Sequence, residues 1–176
     1  MSGLVLWLTG LSGAGKTTIA ELVGRELEWR GEVVDYLDGD VVRTHLSKGL
    51  GFSKQDRDVN IERIGWVASR IARAGATVIV SAISPYAETR ATARALAEDA
   101  GVRFVEVHVA TSLEECARRD VKGLYAQAYA GDLPEFTGIG APYEEPESPE
   151  LRVETEGRDA ADCARDVLVY LQGVPA

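Results

Sequence analysis

Residues 10–17 read "GLSGAGKT", which fits the spacing G-x-x-x-x-G-K-T. Residues of these types at this spacing make a phosphate cradle. The glycines let backbone amides converge on phosphate oxygens without Cβ clashes. A helix starting there adds the partial positive charge of its N-terminus. Lys16 is placed to reach the β- and γ-phosphates of a nucleoside triphosphate, and Thr17 to hold Mg²⁺. The expected nucleotide contacts are Gly10, Leu11, Ser12, Gly13, Ala14, Gly15, Lys16, Thr17 and Thr18. The competing reading is a glycine-rich turn with a chance Lys-Thr. The context opposes it, because an apolar strand-like run precedes the loop and a helical pattern follows.

A second stretch with chemical potential is "YLDGDVVR", residues 36–43. Asp38 and Asp40 flank a glycine where an apolar run stops. Phosphoryl transfer needs the acceptor in line, its charge neutralised and the acceptor proton removed or oriented. A tight turn at Gly39 lets both carboxylates face one cleft. One can hold a metal-bound water and the other can accept a proton from a hydroxyl. Asp40 alone is equally well explained as a helix N-cap ahead of "VVRTHL". That reading leaves Asp38 unexplained, and capping is compatible with catalysis. The runs "ATVIVSA" (76–82) and "FVEVHVA" (104–110) end without an aspartate. The pair therefore inherits the metal and proton work by elimination, with Asp38 assigned to the metal shell and Asp40 to the hydroxyl. No N-K-x-D base-reading motif of a GTPase is present. "DVKG" (120–123) matches D-x-x-G only formally, since it follows a helical segment.

Downstream lie Arg43 and "GLGFSKQDRDVN" (49–60), with Phe52, Arg57 and Asn60. An aromatic beside arginines suits a ligand with a flat ring and an anionic group. The alternative is a solvated charged stretch.

These residues need a frame. "LVLWLT" (4–9), "EVVDYL" (32–37), "ATVIVSA" (76–82), "VRFVEVHVA" (102–110) and "LRVET" (151–155) read as strands. Helical spacing joins Ile19 to Leu27, Ile61 to Ala72, residues 87–100, residues 112–119 and a last helix carrying Val167, Leu168 and Leu171. The alternation predicts an α/β fold, a parallel sheet flanked by helices with ligands at its carboxyl edge. Residues 120–150 break the alternation. They are rich in Gly and Pro yet carry Tyr125, Tyr129, Phe136 and Tyr143, which suits a lid or binding loop. Within them, "YEEPESPE" (143–150) reads as a solvated connector.

The chain has 176 residues, of which 45% are hydrophobic, enough for one domain with a core. Its net charge of −9 argues against a nucleic-acid partner. No apolar run reaches the roughly 18 residues that span a bilayer, and no signal peptide is visible, so the expectation is a cytoplasmic protein. Cys116 and Cys163 read as reduced core thiols. His45 and His108 have no partner at metal spacing. Trp7, Trp29 and Trp66 read as core or interface packing.

The stretches "GLSGAGKT", "DGDVVR", "GLGFSKQDRDVN", "SAISPY", "RRDVKGLY" and "FTGIGAPYE" occur in an order that resembles adenylyl-sulfate kinases over most of residues 4–150. The resemblance implies one P-loop kinase domain over residues 1–176, with a lid at about 120–150. It implies transfer of the γ-phosphate of MgATP to the 3′-hydroxyl of adenylyl sulfate. Phe52 and Phe136 would stack on the acceptor adenine. Arg43, Arg57, Asn60 and Lys122 would grip its phosphosulfate and ribose, with Asp40, Gly123 and Leu124 beside them. The backbone at Ile83 and Ser84 would line the same site. The family serine matching Ser84 is marked as a phosphoserine intermediate, so Ser84 joins Asp38, Asp40 and Lys16 among the candidate catalytic residues. Direct in-line transfer is nevertheless simpler, because a bound hydroxyl needs no covalent relay. The family pattern further implies a homodimer and a functional link or fusion to ATP sulfurylase. The chain starts almost at its first strand, which suits a minimal form or an excised domain.

Four positions depart from the family pattern. Glu62 and Ala87 replace basic residues, Gln127 replaces a lysine, and the aspartate expected after "FTG" is missing at Gly140 or Ala141. Three of these remove positive charge and bear on acceptor affinity. Two other readings stay open on the residues alone. One is another small-molecule kinase of this fold, acting on a sugar or antibiotic. The other is a nucleotide-binding regulatory domain without turnover.

Overall fold

A computed structural model describes residues 3–173. The strands are β1 (Leu4–Thr9), β2 (Val34–Asp38), β3 (Thr77–Ser81), β4 (Arg103–Ala110) and β5 (Leu151–Glu154). The helices are α1 (Lys16–Trp29), α2 (Gly39–His45), α3 (Lys54–Arg73), α4 (Ala87–Asp99), α5 (Leu113–Arg119), α6 (Leu124–Tyr129) and α7 (Ala160–Gly173). The strands form one sheet in the order β2-β3-β1-β4-β5, and all its pairings are parallel.

The alternation along β1 explains the two-faced sheet. Leu6 and Leu8 point to one side and pack with Ile19 and Val23 of α1 and Val167 of α7. Val5 and Trp7 point to the other and pack with Ile64 and Ala68 of α3 and Ala93 of α4. Both faces are buried, so the central strands are continuous apolar runs. On the second face, α3 and α4 approach closely. A Cβ on Gly65 would lie 2.9 Å from that of Ala93, so only glycine allows this spacing.

The register matters for the site. Leu8 of β1 and Asp38 of β2 both align with Ser81 of β3. Thr9, Asp38 and Ser81 therefore end at one carboxyl edge, where the loops to α1, α2 and α4 leave the sheet.

The second strand is displaced from the expected 32–37 to Val34–Asp38, which takes Asp38 into the strand end. Trp7 is fully buried, whereas Trp29 and Trp66 are exposed at 83% and 55%. The acid-rich 143–150 segment is not a solvated connector. The Tyr143 hydroxyl lies 2.9 Å from the Thr9 hydroxyl, and Glu144 accepts from the Ala87 amide at 2.7 Å. Glu150 pairs twice with Arg94 at 2.7 Å and also accepts from the Glu106 amide. The segment is a strap, held by partners far away in sequence.

Candidate active site

A single cleft of about 380 Å³ opens at the carboxyl edge. Its floor is the 10–17 loop between β1 and α1. Gly10 packs against β4 so closely that a Cβ would sit 2.6 Å from the Val109 carbonyl oxygen. Gly15 caps α1 at φ 106°, a left-handed conformation that glycine adopts without strain. Ser12, Gly13, Gly15, Lys16, Thr17 and Thr18 line the cleft. Gly10, Leu11 and Ala14, expected among the nucleotide contacts, do not. They form the buried underside of the loop, where Leu11 joins the core and the Ala14 amide donates to the Leu11 carbonyl at 3.2 Å. The motif's spacing counts positions, and the fold turns these three inward.

Lys16 is 8% exposed, and Nζ donates to the carbonyls of Gly10 at 2.9 Å and Leu11 at 2.8 Å. Burial lowers its pKa to about 8, only partly offset by Cys116, Asp38 and Asp40 nearby. The loop's own carbonyls hold the ammonium in the place where a phosphate would compete for it.

Asp38, and not Asp40, is the N-cap of α2. Its Oδ1 accepts from the Asp40 amide at 2.9 Å and its Oδ2 from the Thr17 hydroxyl at 2.9 Å. The Thr17 hydroxyl also lies 3.3 Å from that of Ser81. Thr17, Asp38 and Ser81 thus bring three oxygens together. Hard oxygen donors suit Mg²⁺, which keeps several waters and phosphate ligands and needs few protein groups. Among the described residues, no cluster of three or more His, Cys, Asp or Glu side chains offers another metal site. Ser81 escaped the sequence reading, although a polar residue closing an all-apolar strand was the signal for it.

With capping assigned to Asp38, the Asp40 side chain is free to face the cleft, and there it makes an ion pair with Lys122. Lys122 stands on the 120–124 turn between α5 and α6. Asp120 anchors that turn by accepting the amides of Tyr125 at 2.9 Å and Ala126 at 3.1 Å. Leu124 lines the cleft with Lys122, while Gly123 supplies the turn at φ 67° and does not line it.

The opposite wall comes from the start of α3. Ser53 caps this helix through the Asp56 amide at 3.1 Å, which turns Arg57 and Asn60 toward the cleft. Phe52 is 60% exposed, and the Arg43 guanidinium lies 4.4 Å from its ring centroid. Phe136 faces the same cleft, edge-on to Tyr125 at 5.0 Å. The Tyr125 hydroxyl donates to the Ser12 carbonyl at 2.8 Å and so ties this wall to the phosphate loop. Arg57 differs from a free anion grip. Its Nε donates to the Phe52 carbonyl at 2.7 Å, and its two terminal nitrogens donate to Thr137 Oγ1 and the Glu135 carbonyl. It clamps together the two turns that carry Phe52 and Phe136. Asn60 is 5% exposed, and its Oδ1 has no protein partner.

Ile83 and Ser84 close the cleft beyond β3. Ser84 is 1% exposed and adopts φ 42°. Its hydroxyl accepts from Trp7 Nε1 at 3.0 Å and donates to the Ala82 carbonyl at 3.3 Å. A hydroxyl so engaged is a poor nucleophile, because activation needs an adjacent base. Thr137 and Glu135 were missed by sequence reasoning, since their partner Arg57 lies far away along the chain; Tyr125 was expected in the lid, but not its tie to Ser12. The departures at Glu62, Ala87, Gln127, Gly140 and Ala141 all lie outside the cleft lining.

The family described as adenylylsulphate kinase matches over residues 2–154. An adenylyl-sulfate kinase of Chloroflexus aurantiacus is 52% identical over 171 residues, covering 97% of this chain and 90% of that protein. A probable bifunctional SAT/APS kinase 2 of Sorangium cellulosum is 51% identical over 98% of this chain and 29% of its own length. The solved Mycobacterium tuberculosis APS kinase CysC in complex with AMPPNP and APS superposes with a TM-score of 0.95 at 46% identity, covering 98% of this chain and 99% of that one.

Proposed function

This chain belongs to the adenylylsulphate kinase family, and from that premise we propose how its cleft divides the work. The activity is ATP-dependent phosphorylation of adenylyl sulfate at the 3′-hydroxyl, a step of sulfate assimilation. One observation carries the division of labour: a single cleft runs from the phosphate loop to the Phe52–Phe136 wall, with Asp38 and Asp40 at the junction.

ATP lies on the loop, with the amides of Ser12, Gly13 and residues 15–18 and the Lys16 ammonium on its phosphates. Lys16 leaves the carbonyls of Gly10 and Leu11 for the more strongly charged phosphate oxygens. Thr17 and Asp38, with Ser81, would hold Mg²⁺. Bound there, the ion would supply neutralisation of the phosphate charge. The acceptor adenine sits between Phe52 and Phe136. Arg43, Asn60 and Lys122 hold its anionic and ribose groups, while Arg57 holds the two aromatic turns in place. Asp40 takes the proton from the 3′-hydroxyl as that oxygen bonds to the γ-phosphorus and the bond from phosphorus to the β-phosphate oxygen breaks. Lys122 exchanges its contact with Asp40 for the acceptor's anion. Ser84 contributes its backbone and takes no phosphoryl group. The chain works as a homodimer, in functional partnership with ATP sulfurylase. The bifunctional Sorangium relative supports the second of these.

The test is to incubate the protein with MgATP and adenylyl sulfate and follow ADP and the 3′-phosphorylated product. Stoichiometric appearance of both is expected. ADP formation only with a sugar or another acceptor would overturn the reading.

A further inference from the structure

Ser84 carries a positive φ of 42° directly before Pro85. For a residue with a Cβ this conformation is strained and persists only where surrounding contacts impose it. The following proline narrows the choices of Ser84 further. The imposing contacts can be named. Thr9 Oγ1 donates to the Ile83 carbonyl at 2.6 Å, and Trp7 holds the Ser84 hydroxyl. The strongest grip comes from Arg90 in the first turns of α4. Its Nη1 donates to the Ser84 carbonyl at 2.7 Å, its Nη2 to the Glu144 carbonyl at 2.7 Å, and its Nε meets Glu106 Oε1 of β4 at 2.8 Å. Arg90 is 4% exposed and does not line the cleft.

A guanidinium spent wholly on two backbone carbonyls and one buried carboxylate needs a reason, because burying charge is costly. Packing does not supply one, since an apolar side chain would fill the same space. The planar fork does, because it fixes two carbonyls from different segments at a set angle. One belongs to the strained turn at the cleft and the other to the 143–150 strap. A second arginine on the same helix, Arg94, holds the far end of that strap through Glu150.

We infer that Arg90 is a positioning residue for the acceptor. It fixes the Ile83–Pro85 turn through the Ser84 carbonyl and so sets the backbone surface on which the acceptor nucleotide rests. The phosphate loop does not depend on it, because none of its hydrogen bonds reaches residues 10–18. The inference rests on the reading of this cleft as the adenylyl-sulfate site.

The test compares wild-type protein with Arg90→Lys, which keeps a positive charge beside Glu106 but lacks the planar fork. The expected result is a rise of about tenfold or more in KM for adenylyl sulfate, with KM for ATP within about twofold. A glycine accepts positive φ without strain, so the Arg90→Lys effect on acceptor KM shrinks in a Ser84→Gly background. Equal changes in both KM values, or none, in a folded Arg90→Lys protein would overturn the inference. Should that variant not fold, Glu106→Gln carries the test. It loosens the guanidinium without stranding a buried carboxylate, and a selective rise of about threefold in acceptor KM is expected. An unchanged KM there overturns the inference as well. Failure of wild-type protein to turn over adenylyl sulfate at all would instead overturn the reading of the cleft.

Discussion

The backbone amide of Asp40 donates to Oδ1 of Asp38 at 2.9 Å, so one aspartate caps the helix that carries the other. The cap uses the side chain of Asp38 and only the backbone of Asp40. The two carboxylates therefore separate experimentally. Asp40→Asn is expected to cut turnover by about two to four orders of magnitude, the scale of a lost acid–base group. Its melting temperature and ATP binding are expected to stay close to wild type. Asp38→Ala is expected to lose about 1 kcal/mol of stability with the cap, together with turnover. Steady-state ADP release and thermal melting of both variants check this. Near-normal turnover of Asp40→Asn sinks the proton-accepting role.

Phe52 exposes 60% of its surface, and the guanidinium groups of Arg43 and Arg57 lie 4.4 and 6.0 Å from its ring centroid. An exposed ring contributes little to folding, so its value lies in the ligand. Removing an aromatic stacked on a base costs about 1–3 kcal/mol. Phe52→Ala is therefore expected to raise KM for adenylyl sulfate by about 5- to 150-fold, with melting temperature and KM for ATP nearly unchanged. Steady-state titration of each substrate decides it, and a comparable loss of ATP affinity would remove Phe52 from the acceptor wall.

How far the sequence could be read depends on how local each partnership is. The phosphate loop was legible because its glycines, Lys16 and Thr17 act within eight consecutive residues between a strand and a helix. The Asp38–Gly39–Asp40 turn was legible for the same reason, although the cap fell on the other aspartate. What stayed hidden lies in contacts between distant segments. Arg57 looked like an anion grip, yet its partners at Glu135 and Thr137 are 78 and 80 residues away. The acidic run at 143–150 looked solvated because Arg94, which holds Glu150, lies 56 residues earlier. Spacing rules cannot see such pairs. Only the sheet order, which sets α4 beside β4 and the strap, brings them together.

The strap makes a pH-dependent contribution to stability. Burial pushes the Glu150 carboxyl upward, but the hydrogen bonds from Arg94 and the Glu106 amide, with the Arg94 charge, outweigh it and leave the pKa below the usual 4.5. Glu106, which faces Arg90 and Arg94, moves the other way because burial dominates there. A carboxylate lowered in the fold stabilises above its unfolded pKa, and that stability is lost as pH falls through the folded value. Glu150→Gln is expected to melt about 2–4 °C below wild type at pH 7, corresponding to about 1 kcal/mol for a partly exposed bidentate pair. The gap is expected to close below pH 4.5 as wild-type Glu150 protonates. Paired melts from pH 7 to pH 3.5 measure it, and a gap that widens on acidification contradicts the assignment.

Gly140 decides where the aspartate of the family pattern can stand. A Cβ at this position would lie 1.7 Å from the Pro134 carbonyl oxygen, a backbone atom. That carbonyl cannot swing aside alone, because Arg57 holds the adjoining turn at Glu135 and Thr137. The amides of Gly140 and Ala141 close the same turn onto the Phe136 carbonyl at 3.0 and 3.1 Å. A side chain at 140 must therefore push against the Pro134–Glu135 backbone, in the turn that leads into Phe136. Gly140→Asp is expected to cost about 1–3 kcal/mol in strain and to raise KM for adenylyl sulfate by about tenfold or more. Ala141 already carries a Cβ, so Ala141→Asp is expected to fold with nearly unchanged melting and to retain Phe136 in the cleft. Thermal melts with acceptor titrations on both variants distinguish the positions. A Gly140→Asp protein as stable and active as Ala141→Asp would show that the turn is looser than its hydrogen bonds require.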